Sequence, residues 1–314
     1  MKISPVDPIG PAWDRMVRIL FKPFDLKKWF VLGFCAFLAR CGEGGGTGGN
    51  APAEPPSNLD GQEMRTWFEQ NLELILFIGI CVTVLIIAIT ILVIWLNSRG
   101  KFMLLDGIVK NRGAVVEPWR EYRAEGNSLF RFRLVLTMVA IVVFLLLAGI
   151  PTLIALPDIN AETFGAAATT AVVVGALFLI AFITGCVLLQ FFIGTFVVPT
   201  MYLRRVHAIE GCRIAWCSLV KNHLWPAGLL GLMMIIFGIG ASTIALLTTC
   251  LTCCLTVLPY IGTVILLPIP VFFTAYALSY LEQYGDDWRF FPPDDEQSSD
   301  TSNVIPAPCD SGDA

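Results

Sequence analysis

Charge is what this chain has least of. Only 15% of its 314 residues are Asp, Glu, Lys or Arg, against about a quarter in soluble domains. Residues 74–96, 134–156, 165–203 and 225–281 contain no Asp, Glu, Lys, Arg or His at all. Buried ionisable groups mark proton relays and ion paths in membranes, so these runs lack that signature. Histidine is nearly missing too, with His207 and His223 the only two. There is no HExxH, no GxSxG and no Gly-rich phosphate loop opening a helix. That removes the usual pointers to metallopeptidase, serine-hydrolase and nucleotide chemistry. Paired carboxylates in an apolar setting are lacking as well, so no residue is assigned a catalytic, cofactor-binding or metal-ligating role. A net charge of −4 argues against nucleic acid as a partner. The ten cysteines are dispersed, mostly in or beside apolar runs, where free Cys acts as a small hydrophobe. They imply no disulfide framework.

What is present is apolar sequence, 56% of the chain, blocked into runs rather than spread at amphipathic spacing. A helix needs roughly 20 apolar residues to cross a hydrocarbon core of about 30 Å. Residues 74–96 and 134–156 each meet that length. The 39 uncharged residues 165–203 read as one long helix over 168–198, ended where Pro199 removes a backbone donor. The 57 uncharged residues 225–281 must fold back on themselves. Leu258-Pro259-Tyr260-Ile261-Gly262 supplies the turn, giving spans over 227–249 and 259–281.

A first candidate, residues 29–42, begins with only 11 uncharged residues before Arg40. On length alone it reads as a re-entrant or interfacial helix, and charge decides otherwise. Residues 1–28 carry six basic side chains, residues 97–133 eight, residues 204–224 four, and Arg289 adds one. The intervening segments hold only Arg40 and Arg65. Under the positive-inside rule the basic segments are cytoplasmic, which requires residues 29–42 to cross, with local bilayer thinning. The expectation is therefore an all-α integral protein of the cytoplasmic (inner) membrane. Six transmembrane helices form three hairpins, with both termini in the cytoplasm. Leu38-Ala39-Arg40-Cys41 has the look of a lipoprotein cleavage box, but Arg40 stands where a small residue is needed, and the basic region before it is too long for a signal peptide.

Three regions frame the spans. Residues 1–28 form a cytoplasmic amphipathic segment, residues 29–284 the membrane domain, and residues 285–314 an acidic tail expected to be disordered. Within the membrane domain, residues 41–62 are rich in Gly and Pro and read as a flexible outer loop. Asp60 with Glu63 has capping-box spacing. A Trp-bearing basic segment precedes an aromatic-led span three times, at Trp13, Trp119 and Trp216. The corresponding span entries are Lys28-Trp29-Phe30, Leu129-Phe130-Arg131-Phe132 and Leu224-Trp225-Pro226. This is a structural echo at about 100 residues, with a cytoplasmic amphipathic helix expected before each hairpin.

Residues 13–34, 99–133 and 199–233, with the stretch Pro118-Trp119-Arg120-Glu121-Tyr122, resemble uncharacterised bacterial multi-pass membrane proteins. These are in turn distantly similar to the membrane domain fused to some glycerophosphodiester phosphodiesterases. The resemblance spans most of residues 10–285 and implies the architecture. It brings no catalytic motif.

Arg99, Lys101, Arg131, Arg133, Arg204 and Arg205 stand at span boundaries and are expected to contact anionic lipid headgroups. Trp13, Trp29, Trp119, Trp216 and Trp225 are expected as interfacial anchors. Cys250-x-x-Cys253-Cys254 could pack, form a disulfide or bind metal, with packing preferred because no second ligand pair accompanies it. Gln190, the one amide deep in a span, suits an interhelical hydrogen bond. Ala167, Ala171 and Gly175, and separately Gly238 and Ser242, read as small-residue stripes for close helix packing. Pro151, Pro268 and Pro270 interrupt spans and could mark kinks. The functional expectation is a non-catalytic scaffold or partner-binding subunit. Its partners would be the bilayer, anionic lipids, and a second copy or another membrane protein. The alternative is a transporter, channel or lipid-handling protein.

Overall fold

Ala12, Met16, Ile19 and Leu20 recur at helical spacing, and all four are buried on one side of α1 (Ile9–Phe21). Asp25 then opens α2 (Leu26–Arg40), its side chain accepting a hydrogen bond from the Lys27 amide at 2.9 Å, the standard service of an N-cap carboxylate. These helices come from a computed structural model that describes residues 3–22, 24–41, 71–160, 165–221, 223–252 and 259–291. Among the described residues every element is helical.

The uncharged runs become long helices because nothing in them breaks the ladder. They are α3 (Leu72–Val109), α5 (Arg123–Asn160), α6 (Ala166–Phe192) and α9 (Leu224–Leu251). A π-helical turn, Ile193–Val197, joins α6 to α7 (Val198–Arg204). Four stretches, Leu72–Val109, Arg123–Leu156, Ala166–Arg204 and Leu224–Leu251, are long and apolar enough to cross a membrane. At 1.5 Å per residue the 38-residue α3 is about 57 Å long, so it outreaches the hydrocarbon core. Short helices complete the chain: α4 (Val116–Glu121), α8 (Ala208–Ile214), α10 (Pro259–Ile265), α11 (Pro268–Glu282) and a 3-10 turn, Asp286–Trp288.

Helices α3 and α5 each have two chemically different halves. The apolar windows of the first three candidate spans are 0% buried and that of the fourth 6%. The charged halves pack together with α1, α2, α7, α8 and α11 into a base, in which Phe102, Met201, Leu219, Tyr276 and Tyr280 have almost no exposed surface. Only α5 and α6 meet along their apolar length. There Asp158 accepts hydrogen bonds from the Gly165 and Ala168 amides at 2.9 and 2.7 Å, capping α6 at the far end. Pro151 lies against Gly175, and both line an apolar cavity of about 260 Å³ with Phe144, Phe178 and Phe182.

The first and last expected spans take other forms. Helix α2 lies antiparallel to residues 97–111 rather than beside the apolar run of α3. Asn97 donates to the Ala39 and Cys41 carbonyls at 2.6 and 3.0 Å, while Lys28 at the other end reaches Asn111 Oδ1 at 2.6 Å. Glycine makes the approach possible. A Cβ on Gly100 would lie 2.5 Å from the Ala39 nitrogen, and one on Gly107 would lie 2.6 Å from Leu32. The run over 259–281 divides at Leu266 and Leu267, because Pro268 stands at the first turn of α11, where its missing donor is harmless. Helix α10 returns against α2, with Val264 beside Gly33 and the Trp29 indole donating to the Val264 carbonyl at 2.9 Å. Pro199 does not end its helix either. It sits at the start of α7, after the π-helical turn has already interrupted the regular ladder.

Other expectations fare variously. The α3 helix stops at Val109, next to Asn111 with its positive φ of 51°. Nothing lies within 4 Å of a Cβ at Gly238, and Ser242 bonds its own helix at Ile239, so that stripe joins no helices. Residues 285–291, counted with the tail, are folded: Trp288, Phe290 and Phe291 are buried, and the Arg15 guanidinium stands 3.4 Å from the Phe291 ring centre. Residues 42–62, 253 and 254, and the tail from 292 lie outside the described residues.

Replacing Gly100 by Ala should lower stability by about 1–3 kcal/mol, the cost of overpacking, because the obstacle is backbone. Gly79→Ala meets open space and should be neutral. Thermal melting of the detergent-solubilised protein, followed by circular dichroism, compares the two.

Candidate functional site: the charged base and its boundary

Asp106 is the centre of the base. It sits one turn before Lys110 on α3, so the pair meets at i,i+4 spacing, and it has no exposed surface. Its Oδ1 receives Lys110 Nζ at 2.8 Å and the Tyr122 and Tyr202 hydroxyls, each at 3.3 Å. Its Oδ2 receives Arg112 Nε at 3.0 Å and Nη2 at 2.9 Å. A carboxylate offers about four lone-pair sites, and these five donors occupy them. Asp106 therefore has no acceptor left for a substrate proton. It acts as a strut between α3, the α4–α5 junction and α7.

Aromatic rings and a second carboxylate extend the cluster. Tyr122 stacks between Phe102 and Tyr202, with ring centres 6.0 and 4.9 Å away. The Arg205 guanidinium lies 4.0 Å from the Tyr122 ring centre and pairs with Glu121. Glu121 also faces Lys110 at 3.2 Å. Arg205 adopts φ 54°, a left-handed conformation that long side chains rarely take, and the Glu121 pair holds it there. Burial opposes ionisation of Glu121, but hydrogen bonds from Arg205 and Lys110 outweigh it and hold the carboxyl below its ordinary 4.5. Burial likewise disfavours the Lys110 charge, yet Asp106 and Glu121 overcome that and raise it above 10.5.

A second polar group stands where the charged and apolar halves meet. Arg133, only 6% exposed, donates to Asn97 and, at 3.2 Å, to Gln190 Oε1. This network joins α3, α5 and α6 and, through Asn97, the end of α2. Gln190 thus makes the interhelical bond that its isolation in an apolar run implied.

The expected lipid-contacting cations separate on inspection. Arg99 is 7% exposed, held between the Trp95 and Trp119 rings at 4.7 and 4.6 Å with Nη2 on Asn127 at 3.0 Å. Arg133 is buried as described, and Arg205 is engaged with Glu121. Arg204 lies over the Trp288 ring at 4.8 Å. Each of these four has a tertiary partner in the structure. Arg131 is exposed, and Lys101 is half-buried in a cleft of about 230 Å³ that Arg40 also lines. The indoles divide too. Trp13, Trp216 and Trp225 are exposed, as anchors must be. Trp29 and Trp119 are tied into the base, one by its bond to Val264, the other edge-on to Trp95. Sequence reasoning missed Asp106 as a centre. The signal available was the run Asp106, Lys110, Arg112 beside the Glu121-Tyr122 pair.

Among the described residues no three His, Cys, Asp or Glu side chains are arranged to hold a metal ion. His207 is exposed at the start of α8, and the His223 ring meets Tyr284 at 5.5 Å. Cys250 is exposed and free.

The family of unknown function DUF7544 matches residues 3–225, and the chain belongs to it. That agrees with the expected resemblance to an uncharacterised family, while no match connects the chain to phosphodiesterase membrane domains. No curated protein and no solved structure matches.

Removing the Asp106 carboxylate by Asp106→Ala takes the shared acceptor from Lys110, Arg112 and the Tyr122 and Tyr202 hydroxyls and should cost about 1–3 kcal/mol. Glu117→Ala removes a partner that is 68% exposed and should cost less than about 1 kcal/mol. Stability against pH has two edges. Glu121 binds its proton less tightly folded than unfolded, so its contribution is present above pH 4.5 and disappears as pH falls through the depressed folded value. Lys110 contributes below pH 10.5, and that contribution is lost as pH rises through its raised folded value. Thermal midpoints measured across pH should be level between these edges, and Glu121→Gln should flatten the acid limb.

Proposed function

We propose that this member of the DUF7544 family is a non-catalytic multi-pass membrane protein that serves as a scaffold or partner-binding subunit. One observation carries the reading: the apolar arms are almost wholly unburied while the charged base is packed. Apolar surface on that scale exceeds what a soluble monomer exposes, so acyl chains and neighbouring membrane helices must cover it. The arms hold no ionisable side chain, and the buried carboxylate in the base is saturated by donors. Both features suit a rigid platform better than a conduit or a catalyst. Anionic lipids, a second copy and other membrane proteins are its partners. The lipid-handling alternative draws support from the boundary cleft.

The base faces the cytoplasm on this reading, because 19 of the 21 basic residues belong to its side. The four long apolar stretches are the crossings of this reading, while α2 packs along residues 97–111 on the base side.

A membrane-impermeant thiol reagent applied to intact cells should label Cys250, at the far end of α9, in a variant with the other cysteines replaced, and should leave a cysteine introduced at Arg120 untouched. Labelling of position 120 from outside would reverse the orientation. In reconstituted vesicles, proton and potassium flux should equal that of protein-free vesicles; flux above that level refutes the scaffold reading.

A further inference from the structure

The boundary cleft has a chemistry that the scaffold reading does not use. It lies between the end of α2, the charged half of α3, the π-helical turn with α7, and the start of α11. Among its described lining residues Arg40 and Lys101 are the only ionisable groups, and both are cationic. Its remaining walls are largely apolar, with Leu104, Leu105, Val198, Ile269 and Phe273. A cleft of two cations and no carboxylate among greasy walls matches a ligand with an anionic end and a hydrocarbon end.

Position narrows the ligand. Lys101 stands five residues beyond the uncharged run 74–96, and Gly194 lies inside the run 165–203. The cleft thus opens at the level where lipid headgroups meet acyl chains. Gly194 puts backbone without a side chain beside the cation, since a Cβ there would lie in ordinary contact, 3.8 Å from the Lys101 ammonium. Gly194 belongs to the π-helical turn Ile193–Val197, and π-helical insertions in longer helices concentrate at functional sites. Size decides how much of the ligand enters. At about 230 Å³ the cleft is smaller than a pocket for a drug-sized molecule, roughly 300–1,000 Å³. It accommodates a headgroup and the start of a chain, with the rest lying along the apolar arms. A small soluble anion would gain the two cations but would surrender its hydration to five apolar side chains.

We propose that this cleft is a specific site for an anionic membrane phospholipid, its phosphate paired with Arg40 and Lys101 and its first acyl carbons against Leu104, Ile269 and Phe273. The site singles out Arg40, which sequence charge counting set aside as a stray outer residue, and leaves Arg131 as an ordinary surface cation. The inference stands on the cleft and holds whether or not the protein is a scaffold.

The test is native mass spectrometry of the full chain in detergent, titrated with phosphatidylglycerol and with phosphatidylcholine of the same acyl chains. One tight phosphatidylglycerol is expected, with no matching phosphatidylcholine. Arg40→Gln and Lys101→Gln should each weaken it about fivefold, corresponding to one basic contact at an anionic headgroup. Arg131→Gln should leave it unchanged, and millimolar inorganic phosphate should not displace it. Thermal melting establishes that each variant is folded. If Lys101→Gln is not, Gly194→Leu fills the cleft without removing charge and must weaken binding instead. Equal affinity for the two lipids, equal weakening by Arg131→Gln, or displacement by inorganic phosphate would overturn the assignment, the last of these in favour of a soluble anion.

Discussion

Hydrocarbon does not accept an unpaired charge, and the long helices α3 and α5 are divided along their length accordingly. Residues 74–96 of α3 carry no ionisable group, whereas the next fifteen include Arg99, Lys101, Asp106 and Lys110. The same change of character occurs in α5 around Arg133 and at the end of α6 around Gln190. Because the changes fall at one level, polar groups from three helices can meet there. Arg133 bridges Asn97 and Gln190, and Asn97 reaches the end of α2. An unsatisfied polar group at that depth would cost several kcal/mol, so the network fixes the relative heights of α2, α3, α5 and α6.

Below that level the base is held by a different balance. A buried ion pair often gains little over an apolar replacement, because desolvation offsets the Coulomb attraction. Asp106 is better placed than an isolated pair, since two cations and two hydroxyls converge on it and the cations keep partial contact with solvent. The benefit is registry: one carboxylate draws α3, the α4–α5 junction and α7 to a single point. Glycines at positions 33, 100 and 107 do the complementary work of letting α2 and α10 approach closely. Polar groups choose the register, and small residues allow the contact distance.

How far this was legible follows from the kind of information each feature needs. The long helices could be read because lipid-facing sequence is uniform, and uniformity is local. The interruption of 259–281 at Pro268 could be read because proline acts on its own backbone. The environment of Arg99 could not be read, since a basic residue at a span boundary has the same sequence signature whether it meets a phosphate or two indole rings. Trp29 and Trp119 are the same case. The packing of α10 against α2 could not be read, since Val264 and Gly33 are far apart in the chain.

The sequence by itself therefore determined class: an all-helical chain with four helices apolar enough for a membrane, and a basic side set apart from an apolar one. That much is additive, because transfer of each side chain into hydrocarbon depends chiefly on its own chemistry. Only the tertiary structure decided which cations are consumed internally and which remain available. Pairing depends on distance between residues far apart in the chain, and Arg40 and Lys101 share a cleft only because α2 turns back along the charged half of α3.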